Sequence, residues 1–110
     1  MSKVKVTVIR KECYADLQES YCKDPQAGHC PLFHVGQEFI LERSEEKDDF
    51  WHMLDGQFCS EAWDAISRYI YAGLQGVSLM RDWMRNENEM IACCNDGTRP
   101  VIFKIERLED

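Results

Sequence analysis

The sequence predicts an α+β domain: a mainly antiparallel sheet of about four strands with one principal helix packed across it. Three observations carry that expectation. Residues 60–75 contain the only long helical period in the chain, and residues 3–10 alternate apolar with polar side chains. Near the C-terminus, two strand-like runs flank an Asn95-Asp96-Gly97 turn. With 110 residues, 45% of them apolar, the chain is large enough for one hydrophobic core. No linker, repeat or shift in composition divides it, so residues 1–110 read as a single domain.

In residues 3–10, Val4, Val6 and Val8 share one face, with Lys3, Lys5 and Thr7 on the other. This is the two-residue period of a half-buried strand. Tyr14, Leu17 and Tyr21 then fall at helical spacing. They predict a short helix that ends before Asp24-Pro25, because the residue before a proline avoids the helical region. Pro25, Gly28 and Pro31 make residues 23–34 a loop, with Cys30 inside it. Residues 35–43 read as a second strand, with Val35, Phe39 and Leu41 on one face and Glu38, Ile40 and Glu42 on the other.

Residues 44–49 are charged and lack any apolar period, which predicts an exposed loop. Phe50, Trp51, Met53 and Leu54 follow. They read as a flap folded back on the domain, the alternative being a contact surface for a partner.

In the principal helix, Cys59, Trp63, Ile66, Ile70 and Leu74 fall three and four residues apart, on one stripe. Ser60 is the expected N-cap, Glu61 and Asp64 suit the positive end of the helix dipole, and Gly76 suits its end. Residues 77–88 fit either a helical turn around Leu79 and Trp83 or a strand at 80–84, and the strand is preferred. Residues 89–94 and 101–108 then form a hairpin. Its inward residues are Val101, Phe103 and Ile105, lining the core with Val4, Val6 and Val8.

Net charge is −7, concentrated in residues 38–64, where nine acids face only Arg43 and Lys47. This cluster reads as a solvated surface rather than a cation site. No basic stripe exists for a phosphate backbone, so neither nucleic acid nor an anionic membrane is an expected partner. No run approaches the ~20 apolar residues of a membrane span. The alternating N-terminus does not form the continuous apolar core of a signal peptide.

A cytoplasmic location is the resulting expectation, and it shapes how the six cysteines are read. In a reducing compartment they are reduced, metal-bound or redox-active rather than paired in disulfides. Adjacent Cys93 and Cys94 point to opposite faces of their strand.

Zinc and iron–sulfur sites usually show close Cys-x-x-Cys pairs, and none occurs here. A metal site would therefore need the fold to gather ligands from Cys13, Cys22, Cys30, Cys59, Cys93, Cys94, His29, His34 and His52. Cys59 stands just before the helix, where unpaired N–H groups favour a reactive thiolate. That makes it the candidate catalytic nucleophile if a base lies near. Its alternative is a small apolar residue packed under the helix. No glycine-rich phosphate loop and no His-Glu-x-x-His motif is present.

Three stretches, GHCPLFHVGQEF, FCSEAW and IACCNDGTRPVIFKIE, carry a resemblance over most of the chain. Together they are similar to a family of short prokaryotic proteins of about 100 residues with no assigned function. The resemblance implies that Cys30, Cys59 and Cys94 recur and meet in space, and it implies no catalytic residue. The acidic segment at 44–57 is longer than the family pattern.

Cys30 lies in a loop, Cys59 before a helix and Cys94 at a strand end, places from which side chains converge. Together with His29, they are the candidate metal ligands, for zinc or an iron–sulfur cluster. The leading expectation is a small thiol-bearing module that binds a metal, a cluster or a redox partner. One alternative is a non-catalytic interaction domain, forming a homodimer or binding another protein, whose cysteines are structural. The other is a cysteine-dependent enzyme using Cys59.

Overall fold

The computed structural model describes residues 2–108. Its strands are β1 (Ser2–Lys11), β2 (Glu38–Arg43), β3 (Glu89–Cys93) and β4 (Val101–Leu108). Its helices are α1 (Ala15–Tyr21), the single turn α2 (Met53–Gly56) and the principal helix α3 (Ser60–Leu74). The strands form one sheet in the order β2-β1-β4-β3, with every pair antiparallel. The α+β architecture expected from the sequence is the one observed, including the C-terminal hairpin.

The alternation in β1 and β4 decides which face is covered. Val4, Val6, Val8, Val101, Phe103 and Ile105 are all buried, and they meet Ile66, Ile70 and Leu74 of α3. Each such side chain contributes about 1.5–3 kcal/mol on burial, so this face supplies most of the driving force. Phe33, Phe39 and Phe58 extend the core, with Phe33 edge-on to Phe103 at 5.3 Å and Phe39 against Phe58 at 4.5 Å.

The opposite face of the sheet is open. It carries ion pairs such as Lys5–Glu38 (3.3 Å) and Lys104–Glu89 (3.4 Å). Exposed pairs of this kind add about 0–1 kcal/mol each.

A β-bulge interrupts β1 between Val8 and Arg10. The extra residue, Ile9, resets the alternation so that Lys11 pairs with buried Val101. The Lys11 ammonium donates to the Phe33 carbonyl at 2.8 Å and fastens the loop that follows α1.

Several expectations are corrected. The second strand begins at Glu38, because a turn from His34 to Gln37 with Gly36 at φ 94° comes first, and Val35 is left exposed. At α1, Leu17, Tyr21 and the preceding Tyr14 are exposed, and the buried residue is Gln18. The segment is helical and ends before Asp24-Pro25 as expected, but its apolar side chains face solvent.

Residues 80–84 form no strand. The Leu79 and Met80 N–H groups both reach the Glu87 carbonyl, Asp82 takes φ 67°, and the segment closes as a loop. Residues 44–47 are exposed as expected, but the segment is tied down at its end. Arg43 pairs with Asp48, and the half-buried Asp49 accepts the Glu42 N–H at 2.8 Å. The flap is folded back through Phe50 and Leu54, which pack on the core, while Trp51 stays outside.

Gly73 sets the distance between α3 and the sheet. A Cβ there would lie 2.5 Å from Cγ2 of the fully buried Val4. Alanine is favoured over glycine in a helix by about 1 kcal/mol. Overpacking a rigid core typically costs about 1–3 kcal/mol, and the clash should win. Gly73→Ala is therefore expected to lower the urea midpoint. An unchanged or higher midpoint would show that the helix can move away from β1 at little cost.

Candidate functional site

Three cysteines from separate parts of the chain line one pocket of about 190 Å³. They are Cys30, Cys59 and Cys94, the three that the motifs singled out. Leu32, Glu61, Asp96 and Arg99 complete the wall. Each thiol is held by its own local structure.

Cys30 lies in the loop after α1, which is pinned at both ends. On one side, Gln18 is only 2% exposed and grips the Gly28 backbone twice. Its amide nitrogen donates to the Gly28 carbonyl and its oxygen accepts the Gly28 N–H, each at 3.0 Å. The same oxygen accepts from the Cys13 thiol at 3.5 Å. On the other side, Phe33 is buried in the core and its carbonyl is held by Lys11.

Cys59 follows the buried Phe58 and is itself the N-cap of α3, the place expected for Ser60. Its backbone is extended, and its sulfur accepts the Ala62 N–H at 3.4 Å. A thiol thereby performs the capping that a serine or aspartate oxygen usually provides.

Cys94 follows β3. Its sulfur accepts the Val101 N–H at 3.4 Å, and its own N–H reaches the Val101 carbonyl. The loop beyond it is built on Asp96. One carboxylate oxygen of Asp96 accepts both the Thr98 N–H and the Thr98 hydroxyl at 2.9 Å. The other pairs with the Arg99 guanidinium at 3.4 Å. The Thr98 hydrogen bonds, led by the backbone N–H, and the nearby Arg99 hold the Asp96 carboxyl below its ordinary value. Asn95 donates to Asp64 at 2.8 Å and so ties this loop to α3.

The other candidates lie elsewhere. Cys93 is exposed, on the opposite side of the strand end from Cys94, as adjacent strand positions require. The Cys22 thiol points to the Thr98 hydroxyl at 4.0 Å. His29, His34 and His52 are exposed, and none is among the residues lining the pocket. All six cysteines are free thiols. Among the described residues, no group of three or more His, Cys, Asp or Glu side chains is arranged to hold a metal ion. A larger groove of about 470 Å³ on the open sheet face, lined by Ile9, Arg10, Glu12, Tyr14, Ile91 and Ile102, contains no thiol.

Glu61, Asp96, Arg99 and Gln18 were not picked out as site residues from the sequence. For Asp96 a signal was present, since an aspartate two residues before a threonine in an Asp-Gly-Thr run suits an Asx turn. For Gln18 there was none, because nothing in a polar residue's spacing says that it is buried. No protein-family model, curated protein or solved structure matches the chain. Among the described residues, no helix is long and apolar enough to cross a membrane.

Because Cys59 caps α3 through its sulfur, Cys59→Ala should cost about 0.5–2 kcal/mol, whereas Cys59→Ser should keep most of the cap. Urea denaturation of the two variants checks this, and equal losses would show that the sulfur's cap contributes nothing.

A carboxyl whose folded pKa is depressed stabilises the fold above its unfolded value, and that contribution is lost as pH falls through the folded pKa. Asp96 should therefore contribute fully above about pH 3.8 and progressively less below it. Asp96→Asn is expected to flatten the acid limb of the stability curve, measured by thermal melts across that range. An unaltered limb would remove Asp96 from the account.

Proposed function

We propose that this protein is a small thiol-bearing module whose Cys30, Cys59 and Cys94 pocket holds an iron–sulfur cluster. The observation that carries the reading is the convergence itself. A loop, a helix cap and a strand end each deliver one cysteine to the same cavity.

The choice of a cluster over a single ion follows from size. Tetrahedral zinc with Zn–S bonds of about 2.3 Å needs its sulfurs only about 3.8 Å apart. No such three-ligand group exists among the described residues. A cavity of about 190 Å³ that all three thiols line offers room for a larger centre instead, and clusters of several irons are held by cysteine thiolates. The N–H donors at the sulfurs of Cys59 and Cys94 add support. Hydrogen bonds to cysteine sulfurs are among the features that set a cluster's reduction potential.

Three thiols leave one corner of a 4Fe–4S cluster without a cysteine, and the carboxylates of Glu61 and Asp96 stand on the same wall. Asp96 is already bound by Thr98 and Arg99, so Glu61 is the freer oxygen donor. His29, expected as the nearest fourth ligand, does not line the pocket. The reading of Cys59 as a catalytic nucleophile has less behind it, since no histidine base stands at the pocket.

Anaerobic reconstitution with iron and sulfide tests the proposal. Wild-type protein should take up both and develop the visible absorption of thiolate-bound iron. Cys30→Ala, Cys59→Ala and Cys94→Ala should each cut retained iron by about tenfold or more, while Cys13→Ala and Cys93→Ala retain it. The reading fails if wild-type protein binds no cluster, or if Cys93→Ala loses as much iron as the pocket variants.

A further inference from the structure

The flap and the acidic segment are not used by the thiol pocket, yet together they form a built surface. Phe50 is its root, with its ring 5.2 Å from Trp63 and 5.0 Å from Tyr71. Trp51 stands on Phe50 at 5.1 Å and beside Tyr71 at 6.3 Å, and it is 66% exposed. The Arg43 guanidinium covers the Tyr71 ring at 5.7 Å and is held by Asp48 at 3.6 Å.

The backbone that follows Trp51 is strained. Met53, Leu54 and Asp55 adopt φ between 50° and 55°, a conformation that costs a non-glycine residue about 1–2 kcal/mol. Such strain persists where surrounding structure imposes it. Here the Leu54 N–H reaches the Asp49 carbonyl and the Leu54 side chain packs on the core, so the turn stays closed with Trp51 outside.

The rim of this patch is acidic. Residues 42–49 carry five carboxylates (Glu42, Glu45, Glu46, Asp48 and Asp49) against Arg43 and Lys47, and Glu42, Asp48 and Asp49 are ion-paired with Lys3, Arg43 and Lys47. Glu45 and Glu46 are exposed at the tip of the turn that joins Arg43 to Asp48. An exposed aromatic centre beside a border of net negative charge is the anatomy of a protein docking site. Tryptophan and tyrosine dominate the energetics of such sites, and rim charges steer the encounter.

We infer that the Trp51–Tyr71 patch is the docking face for a protein partner with a cationic rim around an apolar centre. Charge complementarity selects that occupant. A second copy of this chain would bring the same acidic border against itself. The patch also lies close to the thiol pocket, since Trp63 contacts both Phe50 and Phe58, and Phe58 precedes Cys59. The inference does not depend on what the pocket holds.

Cytochrome c, whose lysine ring surrounds an exposed apolar haem edge, is the probe. Titrated at low salt into isotope-labelled protein, it should broaden the Trp51 indole and Tyr71 signals, and salt should reverse the effect. Trp51→Ala, at an exposed position and checked for folding by circular dichroism, should weaken binding about tenfold or more. Glu45→Gln with Glu46→Gln should weaken it several-fold and reduce its salt dependence. Asp16→Asn with Glu19→Gln on α1, which removes the same charge from another surface, should not.

The inference is overturned if the α1 pair weakens binding as much as the rim pair. It is equally overturned if Trp51→Ala binds as wild type, or if no signal at the patch responds. The titration reads the same with or without a cluster loaded, so its failure is separate from failure of the pocket reading.

Discussion

The structure depends on one close approach, that of α3 to β1 where Gly73 meets Val4. A four-stranded sheet with one apolar face needs a cover, and here a single fifteen-residue helix provides most of it. With no side chain at Gly73, the helix settles close enough for Ile66, Ile70 and Leu74 to interlock with the valines of β1 and with Phe103 and Ile105. Once the helix is seated, its N-terminal end is fixed relative to the β3–β4 hairpin. Asn95 and Asp64 bridge the two.

That seating creates the thiol pocket. Each cysteine sits beside something buried, with Phe58 before Cys59, Phe33 three residues after Cys30, and Val101 bonded to Cys94. The cysteines are therefore carried by the core, while their sulfurs stand at its edge. Backbone N–H groups at two of the sulfurs and the Gln18 clamp on Gly28 limit how far the pocket can relax. Rigid support of this kind lets a small domain hold a site that no local sequence motif encodes.

The flap shows a different balance. Phe50 and Leu54 gain burial, and that gain offsets three left-handed non-glycine residues and leaves a tryptophan in water. A sequence free to minimise local strain would place glycine or asparagine at such positions. Met53, Leu54 and Asp55 are retained in a turn whose outward product is Trp51.

Much of the fold was legible in the sequence, because it rests on short-range periodicity. The alternation of Val4, Val6 and Val8, the helical spacing from Cys59 to Leu74 and the hairpin around Asn95-Asp96-Gly97 each express a local rule, and each is observed. Periodicity said less where a segment's partner was polar or its ends were set elsewhere. In α1 the buried residue is Gln18, matched by a backbone amide and carbonyl ten residues away, which no apolar count detects. The start of β2 was set by the turn at Gly36, and residues 80–84 were closed into a loop by bonds to Glu87.

For the site, the sequence by itself determined which thiols stand at element ends, where a side chain can reach a common space. Only the tertiary structure decided that Cys30, Cys59 and Cys94 share a pocket with Glu61, Asp96 and Arg99. It also left His29 outside and gave Cys59 the capping role expected of Ser60. The reason is that convergence depends on how far α3 sits from the sheet and how the loops are pinned. Those distances arise from packing between residues far apart in the chain.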